Sequence, residues 1–316
     1  MNYSKPFCLF RMNPSIFRDL LGLAAGLAIS AMAQAPGGEG FGAPEQAVTA
    51  LREGLRAKDA DRLKAIFGPE VEDLVNPDRV QATNEFQMVS EAIEEAHSLV
   101  NAGEGRLLLE YGKEKNLFPV PLLKVGDRWF FDTAQGKEEV INRRIGRNEL
   151  DALETIRTYV QAQREYASAD RDGDEVLEYA QKFRSNEGTK DGLYWPQDLD
   201  GSISPLGPFV AEAGAEGYRK KTGAEPQAFH GYYFRILTRQ GPHAPGAAYD
   251  YIINGNMIGG FGLVAWPAEY DETGVMTFIV NQQGRVYQKD LGATTAKTAE
   301  SLELYDPDKS WMPSRE

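Results

Sequence analysis

Residues 249–290, YDYIINGNMIGGFGLVAWPAEYDETGVMTFIVNQQGRVYQKD, decide the fold of the second half of the chain. Asn254 and Gly255 form an Asn-Gly pair, which readily supplies the positive φ angles of a tight hairpin turn. Short runs rich in β-branched and aromatic residues stand on both sides of this turn and of two later ones. The stretch predicts an antiparallel meander with strands at 249–253, 257–266, 275–280 and 285–289.

A helix precedes the meander. Asn148 can cap this helix, Asp151 takes the capping-box position, and apolar residues then recur at spacings of three and four. Residues 168–216 follow as a long irregular stretch punctuated by glycine and proline. We therefore predict a charged connector and then a second domain, a helix packed on an antiparallel sheet, at 133–147 and 148–312.

Residues 44–135 predict a smaller helix-plus-sheet domain, which gives the whole chain an α+β fold class. Helical periodicity begins at Pro44 and recurs at 61–67 and 86–100, so that His97 falls on a predicted helix. Strands are expected after this helix at 106–111, 117–125 and 128–132. The order resembles the cone-shaped domains of the nuclear-transport-factor-two-like class, whose opening helix pair is similar to KDADRLKAIF at 58–67.

Residues 1–33 have the organisation of a signal peptide. Three basic residues precede the apolar run 20–29, and Ala31 and Ala33 stand at the positions of a small-residue cleavage site. An uncleaved anchor is the alternative, although the run is short for a membrane span. We expect cleavage after Ala33, a glycine-rich linker at 34–43, and an exported protein, periplasmic or extracellular, without a transmembrane span once the leader is removed.

Composition narrows the classes of partner. The net charge is −13, and removal of residues 1–33 takes away three basic residues and one acidic residue, which makes it −15. This balance disfavours nucleic acid and anionic membranes as partners. Cys8 is the only cysteine and lies in the leader, so the mature chain has no disulfide and no thiolate site. We find no nucleotide-binding glycine loop and expect no nucleotide cofactor.

The sharpest local motif is the sequence DRDGD, which begins at Asp170. Asp170, Asp172 and Asp174 match positions 1, 3 and 5 of a helix-loop-helix calcium loop, where oxygens converge on a hard cation. The carbonyl of Val176 would serve position 7, and Glu178 falls at position 9. Position 6 is glutamate instead of glycine and position 12 is glutamine instead of glutamate, so a solvated acidic turn is the alternative. We predict calcium as a candidate cofactor that fixes this loop.

Aromatic and histidine residues of the second domain are the candidate ligand contacts. Exposed aromatic side chains would suit stacking on a glycan or a peptide, whereas alternation along the strands predicts that at least half of them are core. His230 and His243 flank one strand and could approach each other at the end of the sheet. From this group we select as ligand candidates Tyr194, Trp195, His243 and Trp266.

Several segments are similar to an uncharacterised family of exported bacterial proteins, a domain of unknown function. They are EYAQKFRSNEGTKDGLYWP, SPLGPF and the stretch from GYYFRILTRQ to QKDLG. This resemblance implies export and brings no catalytic residues. The second half also resembles the globular part of type IV pilins and pseudopilins, some of which carry calcium loops, although the leader lacks the acid and the long apolar helix of a pilin.

Three functions follow as hypotheses. The first is an exported cell-envelope binding or scaffold protein without catalytic activity, stabilised by calcium, with an envelope protein or a glycan as its partner. The second is a secreted hydrolase with a carboxylate site on a loop. The third is a pilin-like component of a surface filament or secretion apparatus. The oligomeric state is not determined by the sequence.

Overall fold

The computed structural model describes residues 37–197, 201–218 and 227–314. The predicted signal peptide at 1–33 lies outside the described residues. The described residues belong to one compact unit, and its helices and antiparallel sheets confirm the α+β class. Within the described ranges, no helix combines the length and apolarity that a bilayer crossing requires.

The first part of this unit is a helical layer on a small sheet. Helices α1, α2 and α3 span Pro44–Ala57, Ala60–Phe67 and Arg79–Glu95, with a 3₁₀ turn at Pro69–Leu74. Asp59 and Asp78 cap α2 and α3 because their carboxylates accept backbone N–H groups of the first turn. Apolar residues on the inner faces of the helices form one core with the sheet, including Leu51, Ile66, Ile93 and Phe131.

Five strands make the first sheet: β1 His97–Asn101, β2 Arg106–Tyr111, β3 Asn116–Leu117, β4 Leu122–Val125 and β5 Arg128–Phe131. Their order is β1-β2-β4-β5, and β3 pairs with β2. His97 pairs with Tyr111 at the start of β1, so its predicted helical position is wrong. Helix α3 ends at Glu95, and β1 begins two residues later, at His97.

Residues 133–147, predicted as a charged connector, are helical, so the long helix begins before its predicted start at Asn148. Helix α4 runs without a break over Thr133–Tyr166, and Asp132 caps it by accepting the N–H of Gln135. Asn148 is therefore an interior residue of the helix and not its cap. The buried stripe of α4 includes the polar residues Arg144 and Asn148, which interrupt the apolar periodicity that a sequence pattern relies on.

A five-stranded antiparallel sheet forms the centre of the second half. Its order is β14-β13-β12-β11-β6, with β6 Tyr232–Leu237, β11 Gly262–Pro267, β12 Met276–Asn281, β13 Tyr287–Asp290 and β14 Met312–Pro313. One face packs on α4 through residues such as Ile156, Leu263 and Val280. The other face packs on the chain end and on α6 (Thr295–Glu300) through Val264, Ile279 and Ala299. Helix α5 (Gly207–Glu216) lies before β6 in the chain.

The meander predicted at 249–290 divides between separate sheets. The Asn254-Gly255 turn forms as expected, with φ of 53° and 96°, and joins β9 Ile252–Ile253 to β10 Asn256–Met257. These two strands form a sheet of their own, and β7 Arg239–Gln240 pairs with β8 Tyr249–Asp250 in another. The predicted strand 257–266 breaks at Gly260, whose φ of 144° suits glycine.

Candidate functional site

The three aspartates of the acidic loop converge. Asp170, Asp172 and Asp174 each offer a carboxylate oxygen, and these oxygens lie within 4.8 Å of one another at the surface. Alternate positions in a tight loop bring the side chains together, as the calcium-loop pattern requires. Their spacing in sequence therefore becomes a cluster in space.

Backbone groups shape the loop around Asp170. Its carboxylate accepts N–H groups of Asp172, Gly173 and Glu175 at 3.3, 2.7 and 3.0 Å. The hydrogen bonds from Gly173 and Glu175 hold the pKa of Asp170 below its usual range. Glu175 adopts a left-handed φ of 68°, a conformation that glycine takes without strain. Glutamate thus occupies, in a glycine-like conformation, the position where the calcium pattern has glycine.

Asp172 is the carboxylate of the cluster whose ionised form is disfavoured by its surroundings. Partial desolvation raises its pKa, and repulsion by Asp174 and Asp170 raises it further. Asp174 accepts the N–H of Val176 at 2.8 Å and the side-chain amide of Asn256 at 2.6 Å. A divalent cation at this point would replace the mutual repulsion of three carboxylates by attraction.

Glu178 is directed at the neighbouring hairpin and does not belong to the converging group. Its Oε2 accepts the N–H of Met257 at 2.9 Å, and burial raises the pKa of its carboxyl. Gln181, at position 12 of the pattern, donates to the carbonyl of Gly255 at 2.6 Å. Glu178 and Gln181 therefore attach the acidic loop to the β9–β10 hairpin.

Burial corrects the role predicted for two of the aromatic ligand candidates. Trp195 is 1% exposed and Trp266 is 5% exposed, so neither indole offers a face to a ligand at the surface. Trp195 packs in the core beneath α4, and its Nε1 donates to Ser202 at 3.1 Å. Tyr194 is half-buried, and the guanidinium of Arg184 lies 4.9 Å from its ring centre.

The two histidines near the second sheet have separate carboxylate partners. His243 is exposed, and its Nδ1 lies 3.0 Å from Oδ2 of Asp306. The hydrogen bond to Asp306 raises the pKa of His243. His230 instead lies between Asp151 and Glu216, at 2.9 and 2.6 Å. The approach of one histidine to the other, considered from the sequence, is not the arrangement found.

Sequence reasoning missed the His230 cluster. Its members are separated by 79 and 14 positions along the chain, and no short motif joins them. Asp151 stands out in the sequence only as a helix-capping candidate. The helix in fact begins at Thr133, so Asp151 is interior to it and free to meet His230.

A shallow groove of about 690 Å³ runs along α3 and is lined by Asn84, Gln87, Met88, Glu91, Ala92 and Glu95. Its two carboxylates are exposed. Glu91 accepts the side-chain amide of Gln87 at 2.9 Å, and Glu95 pairs with Lys113.

The chain belongs to the family described as a protein of unknown function, DUF2950, whose model matches residues 39–313. No curated protein and no solved structure gives a significant match. The family description states no activity, so the loop and the surfaces around it carry the functional argument.

Proposed function

We propose that this DUF2950 member is an exported cell-envelope binding or scaffold protein without catalytic activity, whose acidic loop is fixed by calcium. The observation that carries the proposal is the convergence of Asp170, Asp172 and Asp174 to within 4.8 Å. Three carboxylates at alternate positions supply the hard oxygen ligands that Ca²⁺ prefers. The leader at 1–33 supports an exported location, where calcium is available at concentrations that weak extracellular sites require.

Calcium would fix more than the loop itself. Asp174 contacts Asn256, and Glu178 contacts Met257, so the loop and the β9–β10 hairpin share polar contacts. A cation held by the three aspartates would remove their repulsion and stabilise both segments together. The carbonyl of Val176 remains the candidate for a further ligand.

The surface beside the loop favours a protein partner over a glycan. Leu177, Ile253 and Ile258 are 60%, 46% and 44% exposed. Leu177 and Ile258 stand next in sequence to Glu178 and Met257, and Ile253 pairs with Asn256 across the hairpin. The indoles that would stack on a sugar ring are buried instead. Exposed aliphatic side chains next to a fixed polar loop suit a protein docking surface, with apolar anchors and a polar rim.

Thermal melts with calcium and with a chelator test the proposal. Calcium at a hundredfold excess over its Kd stabilises a protein by about 2.7 kcal/mol, so we expect the Tm to rise by several degrees. Asp172→Asn should abolish this calcium response because it removes the central carboxylate. In chelator the same variant should melt slightly higher than the wild type, since it also removes the repulsion around Asp172.

Asp127→Asn is the matched control. Asp127 is an exposed acid in the β4–β5 turn, away from the three aspartates in sequence. This variant should keep the full response to calcium. The same Tm for the wild type in calcium and in chelator would contradict the calcium proposal. So would a calcium-induced rise in the Tm of the Asp172→Asn protein equal to that of the wild type.

A further inference from the structure

Helix α5 lies against the core between α4 and the five-stranded sheet of the second half, and it has few apolar contacts with this core. None of its side chains is fully buried, although Phe209 and Val210 pack partly against the core beneath α4. Glu216 and the residues after it make polar contacts with other elements. Elements with few buried apolar side chains open at a lower free energy than the core. The polar end of α5 therefore contributes much of what keeps this helix in place.

His230 is the centre of that polar end. Its φ of 48° is left-handed, and its ring stacks on Phe229 with 4.2 Å between ring centres. This places Nε2 at 2.6 Å from Glu216 and Nδ1 at 2.9 Å from Asp151. Each ring nitrogen thus lies at hydrogen-bond distance from a carboxylate oxygen, and only an imidazolium can donate from both nitrogens at once. The geometry is that of an imidazolium clamped between two carboxylates.

Two further titratable groups, Tyr218 and Asp78, lie beside the cluster, and Asp78 belongs to the first half of the chain. The hydroxyl of Tyr218 donates to Oδ2 of Asp78 at 2.6 Å and accepts the backbone N–H of His230 at 3.3 Å. Asp78 also caps α3 through its other oxygen. Asp151 and Glu216 thus contact the His230 ring directly, whereas Asp78 is linked to the His230 backbone through Tyr218. Burial and the hydrogen bond to Asp78 raise the pKa of Tyr218 above its ordinary value.

Glu216 depends on the imidazolium more than an ordinary surface acid does. It is the last residue of α5, where the helix dipole disfavours a negative charge. The last turn of α5 holds no basic residue. The backbone carbonyl of Glu216 accepts the side-chain amide of Asn84 of α3 at 3.0 Å. This hydrogen bond does not depend on the protonation of His230. His230 is therefore the positive group that balances this helix end.

Loss of one proton would break the arrangement. A neutral imidazole has one donor nitrogen and one acceptor nitrogen, so one carboxylate would face a lone pair at less than 3 Å. We propose that His230 is a pH-operated latch, which holds α5 closed on the core while the ring is an imidazolium and releases it when the ring loses its proton. Release would uncover the core-facing sides of Phe209 and Val210 and separate Phe209 from the ring of Phe229, which lies 5.1 Å away between ring centres.

The direction of the response follows from the titration. Burial opposes the charge, but the hydrogen bonds to Asp151 and Glu216 outweigh it and raise the pKa of His230 above its usual value. The closed state therefore binds the proton more tightly than the open state. Its extra stability is complete below the pKa of the open state and is lost as pH rises through the pKa of the closed state.

Hydrogen exchange on the protein without its leader tests the latch. Protection of peptides from 207–218 would be measured from about pH 5.5 to about pH 9, across the range in which histidine titrates, and corrected for intrinsic exchange. The opening constant should rise about tenfold for each unit between the two pKa values. Because the chain has three histidines, NMR titration of labelled imidazoles can assign the midpoint to His230.

Two variants and one control complete the experiment. His230→Gln should remove the pH dependence of protection in 207–218, and Glu216→Gln should reduce it while leaving His230 in place. His243→Gln removes the exposed pair with Asp306 and should leave the response intact. The latch is disproved if protection of 207–218 in the wild type does not change with pH, or if it changes equally in the His230→Gln protein.

Discussion

Glu175 carries the local strain of the acidic loop. A non-glycine residue in the left-handed region loses about 1–2 kcal/mol, and part of that is recovered by its smaller unfolded-state entropy relative to glycine. We expect Glu175→Gly to stabilise the protein by about 0.5–1 kcal/mol in chelator. Gly173→Ala is the comparison. Gly173 has a φ of 84°, so this substitution should destabilise the protein. Chemical denaturation measures both, and a loss of stability in Glu175→Gly would contradict the loop geometry.

Thr277 is a second residue whose side chain is expected to lower the free energy of unfolding. Its hydroxyl is fully buried on β12 and has no hydrogen-bond partner among the described residues. Thr277→Val removes a polar atom without changing shape, so we expect a gain of about 1 kcal/mol in unfolding free energy.

Thr273 provides the matched control for that gain. It is equally buried, but its hydroxyl donates to Gly231 at 2.9 Å and accepts from Glu269 at 3.0 Å. Thr273→Val should therefore destabilise the protein by about 1–3 kcal/mol. Destabilisation of similar size in Thr277→Val would show that a partner, such as an internal water, satisfies the Thr277 hydroxyl.

The sequence and the structure agree on residues whose interactions are local. The three aspartates were predictable because alternate positions in one tight loop converge. Trp195 and Trp266 were not, since the burial of an indole depends on which distant element covers it. His230 was beyond prediction for the same reason, because its two partners come from different helices.

At the scale of elements, helix α4 offers the clearest test. A Cβ at Gly146 would meet open space, whereas a Cβ at Gly136 would lie 2.6 Å from a methyl carbon of Val120. If residues 133–147 are helical, Gly146→Ala should stabilise the protein by about 0.5–1 kcal/mol. Gly136→Ala should destabilise the protein because Val120 is buried and its backbone Cα would lie only 3.0 Å from the new Cβ. A neutral result for Gly146→Ala would contradict a helical conformation at this position.

Secondary-structure elements were predicted correctly where local turn residues determine them. They were predicted wrongly where the burial of polar residues by distant parts of the chain determines them. The Asn254-Gly255 turn formed where the pair stands. The long helix was predicted to begin at Asn148 because Asn148 and Asp151 match a capping pattern. The polar residues Arg144 and Asn148 also interrupt the apolar stripe that would have extended the helix toward Thr133. Both are held by polar partners instead: Arg144 donates to the carbonyls of Leu74 and Val75, and Asn148 donates to that of Thr273.

At the scale of the whole molecule, α4 joins the two halves. Its residue Asn148 accepts from Gln81 at 3.1 Å and donates to the carbonyl of Thr273 at 2.9 Å. One buried side chain thereby connects the first helical layer to the second sheet. The α+β class was predictable from the alternation of helical and strand patterns, whereas this connection was not, because it depends on a polar residue in a buried stripe.

The central claim is that one calcium ion binds at Asp170, Asp172 and Asp174. Equilibrium dialysis of the leader-free protein against labelled calcium tests it most directly. The wild type and the Asp127→Asn control should each hold one saturable calcium per chain, and the Asp172→Asn protein should hold none. Absence of saturable calcium in the wild type, or equal binding by the Asp172→Asn protein, would contradict the claim.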